Sequence, residues 1–148
     1  MNEPGAPAWR EAPLDVDLVM AVGAGGAVGS LLRWLLAEVI PNQPGEFPWS
    51  TYLVNVLGSA LLGLLAGLRP RWPRSPQLYT VLTVGVLGGF TTFSTFALQG
   101  SWLIEHAKFT QAAAFLIGSV LLGVVAAALG LLAGARLRGA PEPGEDEG

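Results

Sequence analysis

The sequence predicts an all-α membrane protein of four spanning helices, the third broken near its middle. Three observations carry this. Hydrophobic residues make up 51% of the 148 and charged residues only 13%, about half the charged share usual in a soluble domain. Of the 8 basic and 11 acidic residues, ten fall within residues 1–15 and 136–148, so the interior lacks the charge that a water-facing surface needs. The mean hydropathy is +0.51, and 20 glycines suit membrane helices that pack closely. The absence of cysteine excludes disulfides, thiol catalysis and Cys-ligated metals. A net charge of −3 with few basic residues argues against a nucleic-acid partner.

In chain order, residues 1–15 are rich in Pro and Ala and acidic, and read as a disordered tail. Four apolar runs follow within a membrane domain expected over residues 16–137. The first covers 18–40 and ends at the Pro41/Pro44 turn. The second covers 52–68 and ends at Arg69-Pro70-Arg71-Trp72-Pro73. The third covers 78–104 and the fourth 112–135. Each is long enough to cross a hydrocarbon core of about 30 Å as a helix. None shows the alternation of a barrel strand, and lipid leaves the backbone no partners except its own, so helices are required. Residues 138–148, with Pro141, Pro143 and four acids, read as a second disordered tail. The first run has no basic segment before it, and it is too long for a signal peptide.

Loop charges predict orientation. With the N-terminus in the cytoplasm, that side holds Arg10, Arg69, Arg71, Arg74, Arg136 and Arg138, against Lys108 alone on the other. Both termini are therefore expected in the cytoplasm of a cell-membrane protein. Trp49, Tyr52, Trp72, Tyr79 and Trp102 stand at span ends, as interfacial aromatics do. Small residues recur four apart at Gly25/Gly29, Ser59/Gly63/Gly67, Gly85/Gly89, Ser119/Gly123 and Gly130/Gly134, the spacing of close helix packing. Four helices of this size enclose little interior, which points to oligomerisation.

The polar residues inside the spans need a reason to be there. Arg33 lies two-thirds along the first span, where a charge costs about 2.5–3.5 kcal/mol on insertion scales. It either anchors the helix at the outer interface or gives an anion entrance a positive field. Asn55, with Thr51 and Ser59 on the same face, is either interhelical glue or part of a polar stripe that replaces an ion's hydration shell. The most informative stretch is Gly88-Gly89-Phe90-Thr91-Thr92-Phe93-Ser94-Thr95-Phe96. Adjacent glycines and threonines weaken a helix. A break at mid-membrane must line a cavity or hold an ion. Freed carbonyls suit a cation, and the hydroxyls of Thr92 and Thr95 can cap the second half. Phe93 and Phe96 share a face, and their positive ring edges can contact an anion. The competing reading is an unbroken helix with two packing aromatics. Ser119 adds a hydroxyl in the fourth span, or else back-bonds to a carbonyl one turn earlier. His106, beside Glu105 and Lys108, reads as a solvated loop histidine.

These residues resemble the Fluc fluoride-channel family, also called CrcB-like, over about residues 18–135. The markers are Gly25-Gly26-Ala27-Val28-Gly29-Ser30-Leu31-Leu32-Arg33, Thr51-Tyr52-Leu53-Val54-Asn55-Val56-Leu57-Gly58-Ser59 and the Gly88–Phe96 stretch. The resemblance implies an antiparallel dimer with two fluoride pores at its interface, exporting fluoride passively and protecting against its toxicity. It implies a structural sodium ion held by the backbone carbonyls of Gly88 and Thr91. It matches Phe93 and Phe96 to the pore phenylalanines, Asn55 to the pore asparagine, Thr51, Thr95 and Ser119 to the polar track, and Arg33 to the first-span arginine. Two positions depart from the family pattern: Gln99 stands where a glutamate is frequent, and Phe115 where a tyrosine is usual.

The runner-up is a small four-helix multidrug-type transporter. Such a carrier needs a membrane-embedded carboxylate, and Asp17, Glu38 and Glu105 all fall near span ends. A helper subunit of a membrane complex explains the small-residue spacing but not Asn55 or the Gly-Gly-x-Thr-Thr stretch. No motif for catalysis is present, so no enzyme is expected. The six-to-one charge bias bears on assembly. One chain inserting mainly one way needs a homologous second subunit of opposite bias as its antiparallel partner, the alternative being a homodimer built from a minority of inverted chains.

Overall fold

The computed structural model describes residues 15–42, 45–69 and 76–137. They form four helices that are long and apolar enough to span a membrane: α1 (Val16–Val39), α2 (Trp49–Leu68), α3 (Pro76–Glu105) and α4 (Phe109–Leu137). Each begins two or three residues before its apolar run. Hydropathy marks only the segment that lipid requires, whereas a helix extends until its first N–H groups find caps or water. Asp15 shows this. Placed in the tail by composition, it is the N-cap of α1, and its Oδ1 accepts from the Leu18 N–H at 3.0 Å. Pro48 fills the same position at α2, where its carbonyl accepts from Tyr52 N–H at 3.0 Å. The remainder of the expected tails (1–14 and 138–148), Pro44 and the loop with Arg71, Trp72 and Arg74 lie outside the described residues.

The small residues four apart are where backbones touch. On α1 and α3, a Cβ added to Gly29 would lie 2.0 Å from the Val86 carbonyl oxygen, and one on Gly89 would lie 2.3 Å from that of Gly26. On α2 and α4, a Cβ on Gly63 would lie 2.0 Å from the Ala127 oxygen and one on Gly130 2.1 Å from the Ala60 oxygen. The bundle is thus two backbone-to-backbone pairs, α1 with α3 and α2 with α4, laid side by side. The buried apolar core is small: Val54, Leu87, Leu103, Ala112 and Phe115. Large hydrophobic side chains along every helix face outward, as lipid or a second chain requires.

α3 is two helices in series. Its first half, residues 76–90, passes through a π-helical stretch at Val81–Leu87 and a last α-turn at Gly88–Phe90. Thr91 (φ −75°, ψ 159°) and Thr92 (φ −147°, ψ 124°) are extended. The second half runs Phe93–Glu105. The break expected at Gly-Gly-x-Thr-Thr is present, and the unbroken-helix alternative is not.

Candidate ion pathway

The break is held open by side chains that take the helix's own hydrogen-bond partners. In a continuous helix the Thr92 N–H would donate to the Gly88 carbonyl. Here it donates to Asn55 Oδ1 at 2.9 Å, while Asn55 Nδ2 donates back to the Thr92 carbonyl at 3.0 Å. One amide on α2 therefore satisfies both backbone groups of a residue on α3, as a neighbouring strand would. The Thr95 N–H would likewise serve the Thr91 carbonyl; it donates instead to Thr92 Oγ1 at 3.2 Å. Thr92 is the N-cap of the second half. Its hydroxyl then donates to Thr95 Oγ1 at 3.1 Å, so Thr95 does not cap the helix but extends the network. These diversions leave the carbonyls of Gly88 and Thr91 without their helical donors. The Gly89 carbonyl between them accepts from Ser30 Oγ on α1 at 3.4 Å. Thr91 Oγ1 turns back onto the Leu87 carbonyl at 2.9 Å, so Thr91 offers outward its backbone oxygen rather than its hydroxyl.

Two cavities meet at Thr92. One, of about 380 Å³, is lined among others by Asn55, Ser59, Thr83, Gly88, Thr91 and Phe93. The hydroxyls of Ser59 and Thr83 are committed to carbonyls one turn earlier, at 2.8 Å each. The other, of about 400 Å³, gathers Arg33, Thr51, Asn42, Thr95 and Gln99. The expected residues thus divide: Asn55, Phe93, Gly88 and Thr91 stand on one side of the break, Arg33, Thr51 and Thr95 on the other. Glu38 is exposed and does not line the cavity that Arg33 lines.

Phe93 and Phe96 share a face, with ring centroids 5.9 Å apart and planes tilted by 40°. Phe93 is 80% exposed, whereas Phe96 continues inward to Phe115 at 5.2 Å and from there to Phe47 at 5.8 Å. Phe115 is fully buried, so the position that lacks the usual tyrosine hydroxyl is a packing ring in an aromatic series. Ser119, one turn further along α4, is 7% exposed and its Oγ has no partner. Back-bonding therefore does not account for it. Ser119 and Phe96 line neither of the two cavities.

Three participants escaped sequence reasoning. Ser30 gave no signal beyond its place one turn before Arg33. Asn42 and Ser50 close the α1–α2 loop through Asn42 Nδ2 donating to Ser50 Oγ at 2.7 Å and Ser50 N–H donating to Asn42 Oδ1 at 3.2 Å; Asn after a proline and Ser in a first helical turn are visible cap signals. Gln99 drew notice as a family departure. Its Oε1 is buried without a partner, on the shared wall of the Arg33 cavity and a third cavity of about 210 Å³.

A four-span membrane protein whose broken third helix gathers polar groups and carbonyls released from their helical donors at mid-membrane is built to handle an ion. A protein-family model described as "CrcB-like protein, Camphor Resistance (CrcB)" matches residues 20–131. Among relatives, the "Fluoride-specific ion channel FluC" of Nitrobacter winogradskyi is 45% identical over 115 residues, 76% of this chain and 91% of that one. "Fluoride-specific ion channel FluC 2" of Nocardia farcinica is 40% identical over 126 residues, 84% and 89% of the two chains. The FluC of Thermus thermophilus is 40% identical over 127 residues, 85% of this chain and all of that one. The chain belongs to the CrcB-like family.

Proposed function

We propose that this protein is a fluoride-selective channel that lets fluoride leave the cytoplasm down its gradient. The observation that carries the reading is the pinned break, with Asn55, Phe93 and Phe96 gathered beside it, in a chain whose relatives are named fluoride-specific channels. Fluoride is small and strongly hydrated, and burying it bare costs tens of kcal/mol. Asn55 Nδ2 carries a second hydrogen beyond the one given to Thr92. Ser119 Oγ is uncommitted, Thr51 and Thr95 line the Arg33 cavity, and the ring edges of Phe93 and Phe96 are positive. Several moderate sites in series pass an ion that one strong site would trap. Arg33 lines the same cavity as Thr51 and Thr95, which supports an anion-attracting role for it. A multidrug-type carrier finds no support here: Asp17, Glu38 and Glu105 are all exposed at span ends.

The unpaired carbonyls of Gly88 and Thr91 are neutral oxygen donors, the chemistry that holds a monovalent cation such as sodium. When bound, such an ion would neutralise the carbonyl dipoles that the break turns outward. Two oxygens from one chain are too few for a full shell, and nothing stands within 4 Å of where a Gly88 Cβ would be. Together with the exposed Phe93 this favours a second subunit facing the break, in an antiparallel dimer. The six-to-one arginine bias favours a homologous partner of opposite bias over a second copy of this chain, with both termini of this one in the cytoplasm.

Liposomes loaded with potassium fluoride and containing the purified protein should release fluoride when a potassium ionophore clamps the voltage. Release no faster than from protein-free liposomes, both with this chain alone and with the homologous partner co-reconstituted, overturns the channel reading. Phe93→Ile and Phe96→Ile keep the bulk and remove the ring quadrupole, so each should slow efflux about tenfold with the gel-filtration profile unchanged. Topology reporters fused at residue 148, in cells expressing only this chain, should report mainly the cytoplasm. Comparable signals on both sides would instead favour the homodimer.

A further inference from the structure

The third cavity, of about 210 Å³, lies at the bundle end that carries the α1–α2 loop. Its walls include Asn42, Gly45, Glu46, Pro48, Gln99 and Trp102. Their chemistry is one-sided. Gln99 Oε1 is a buried acceptor with no donor, a loss that a native structure usually offsets with a bound donor. Glu46, an exposed acidic residue, and Gly45, whose carbonyl accepts from Lys108, also line the cavity. Trp102 contributes an indole, one face of which is covered by the stacked His106 ring at 3.9 Å. An ammonium group already uses this chemistry: Lys108 Nζ donates to the Gly45 carbonyl and stands 5.9 Å from the centroid of the Trp102 ring. A carbonyl, an aromatic face and a nearby carboxylate are the features by which proteins recognise ammonium ions.

From this we infer that the pocket is a binding site for an alkylammonium group, supplied either by a soluble amine or by the headgroup of an aminophospholipid. Lys108, bonded to Gly45 and over the Trp102 ring, is an intramolecular precedent for this recognition on two of the pocket's lining residues. The unpaired Gln99 oxygen is an acceptor among the pocket's lining residues that Lys108 does not satisfy. Trp102 lies near the end of α3 and Gly45 in the loop after α1, at the level where headgroups meet spanning helices, so a lipid amine has direct access. The pocket shares Asn42 and Gln99 with the Arg33 cavity. A bound amine would therefore sit against the wall of the anion vestibule and place a positive charge beside it.

Binding is read without flux, so the test stands whether or not the chain conducts fluoride. The full chain is unfolded thermally in detergent with n-butylammonium or with 1-butanol, its neutral counterpart, and in nanodiscs of phosphatidylethanolamine or of phosphatidylglycerol. Lys108→Met frees the Gly45 carbonyl and the Trp102 ring from their intramolecular ammonium and should strengthen the response. Butylammonium should raise its midpoint by a few degrees, the size expected for a ligand at about ten times its Kd, and butanol should not. Stabilisation by butylammonium identifies soluble amines as sufficient. Stabilisation by phosphatidylethanolamine alone identifies the lipid as the source. Trp102→Leu should abolish either response and Trp102→Phe should keep part of it. Gln99→Leu, which removes the buried acceptor without touching the ring, should weaken binding in the same direction. No amine-dependent shift in either medium overturns the site, as does an equal shift with butanol or a shift that survives both Trp102→Leu and Gln99→Leu.

Discussion

Replacing Asn55 by leucine is expected to lower fluoride efflux about a hundredfold or more, because it leaves two buried backbone groups of Thr92 unpaired at about 1–3 kcal/mol each. The Thr92 N–H then has one nearby alternative, the Gly88 carbonyl that a continuous helix would offer it. Taking it straightens α3, closes one of the two free carbonyls, and moves Phe93 out of register with the cavity it lines. Efflux from proteoliposomes measures the loss of flux, and a lowered thermal midpoint in detergent measures the loss of pairing. Asn55→Asp keeps the acceptor for Thr92 N–H but loses the donor to Thr92 O and adds a charge, so it should not rescue. Efflux within about twofold of wild type in the leucine variant would show that the amide is not what holds the break.

Gly29→Ala should be more damaging still, although it adds a single methyl. That carbon would lie 2.0 Å from the Val86 carbonyl oxygen and 2.8 Å from the Phe90 nitrogen. Both are backbone atoms, in the turns just before the break, and neither can rotate away. Relief requires α1 and α3 to separate, which exceeds the roughly 1–3 kcal/mol usual for overpacking a side-chain core. The expected result is little monodisperse protein on gel filtration. Gly23→Ala on the same helix is the control: nothing lies within 4 Å of its added carbon, and it should elute and conduct like wild type. If both variants purify equally well, the close α1–α3 contact is not what the bundle depends on.

Much of the candidate pathway was legible because its polar residues are unusual in lipid. Asn55, Arg33 and Ser119 stand out in apolar runs, and Thr51 at the edge of one, for the plain reason that burying them unpaired is costly. The break was legible from two glycines followed by two threonines, which favour a helix too weakly to keep it continuous. Asp15 was misplaced because composition sees a Pro/Ala-rich tail and not the one carboxylate whose oxygen reaches the Leu18 N–H. Ser30 and Asn42 were missed because a serine in a helix and an asparagine in a loop have many bland uses.

By itself the sequence determined four spans, the small-residue faces on which they meet, and the point where the third gives way. These follow from hydropathy, side-chain volume and backbone propensity, all properties of a segment taken alone. Only the tertiary structure decided what the polar residues do. That Asn55 pairs with Thr92, 37 positions away, depends on the rotation of α2 about its axis and its distance from α3. The same pairing decides which carbonyls go free, since Gly88 and Thr91 lose donors that the side chains of Asn55 and Thr92 capture. Hydrogen bonds that reach across helices have no periodicity along the chain, and so leave no trace in it until the helices are packed.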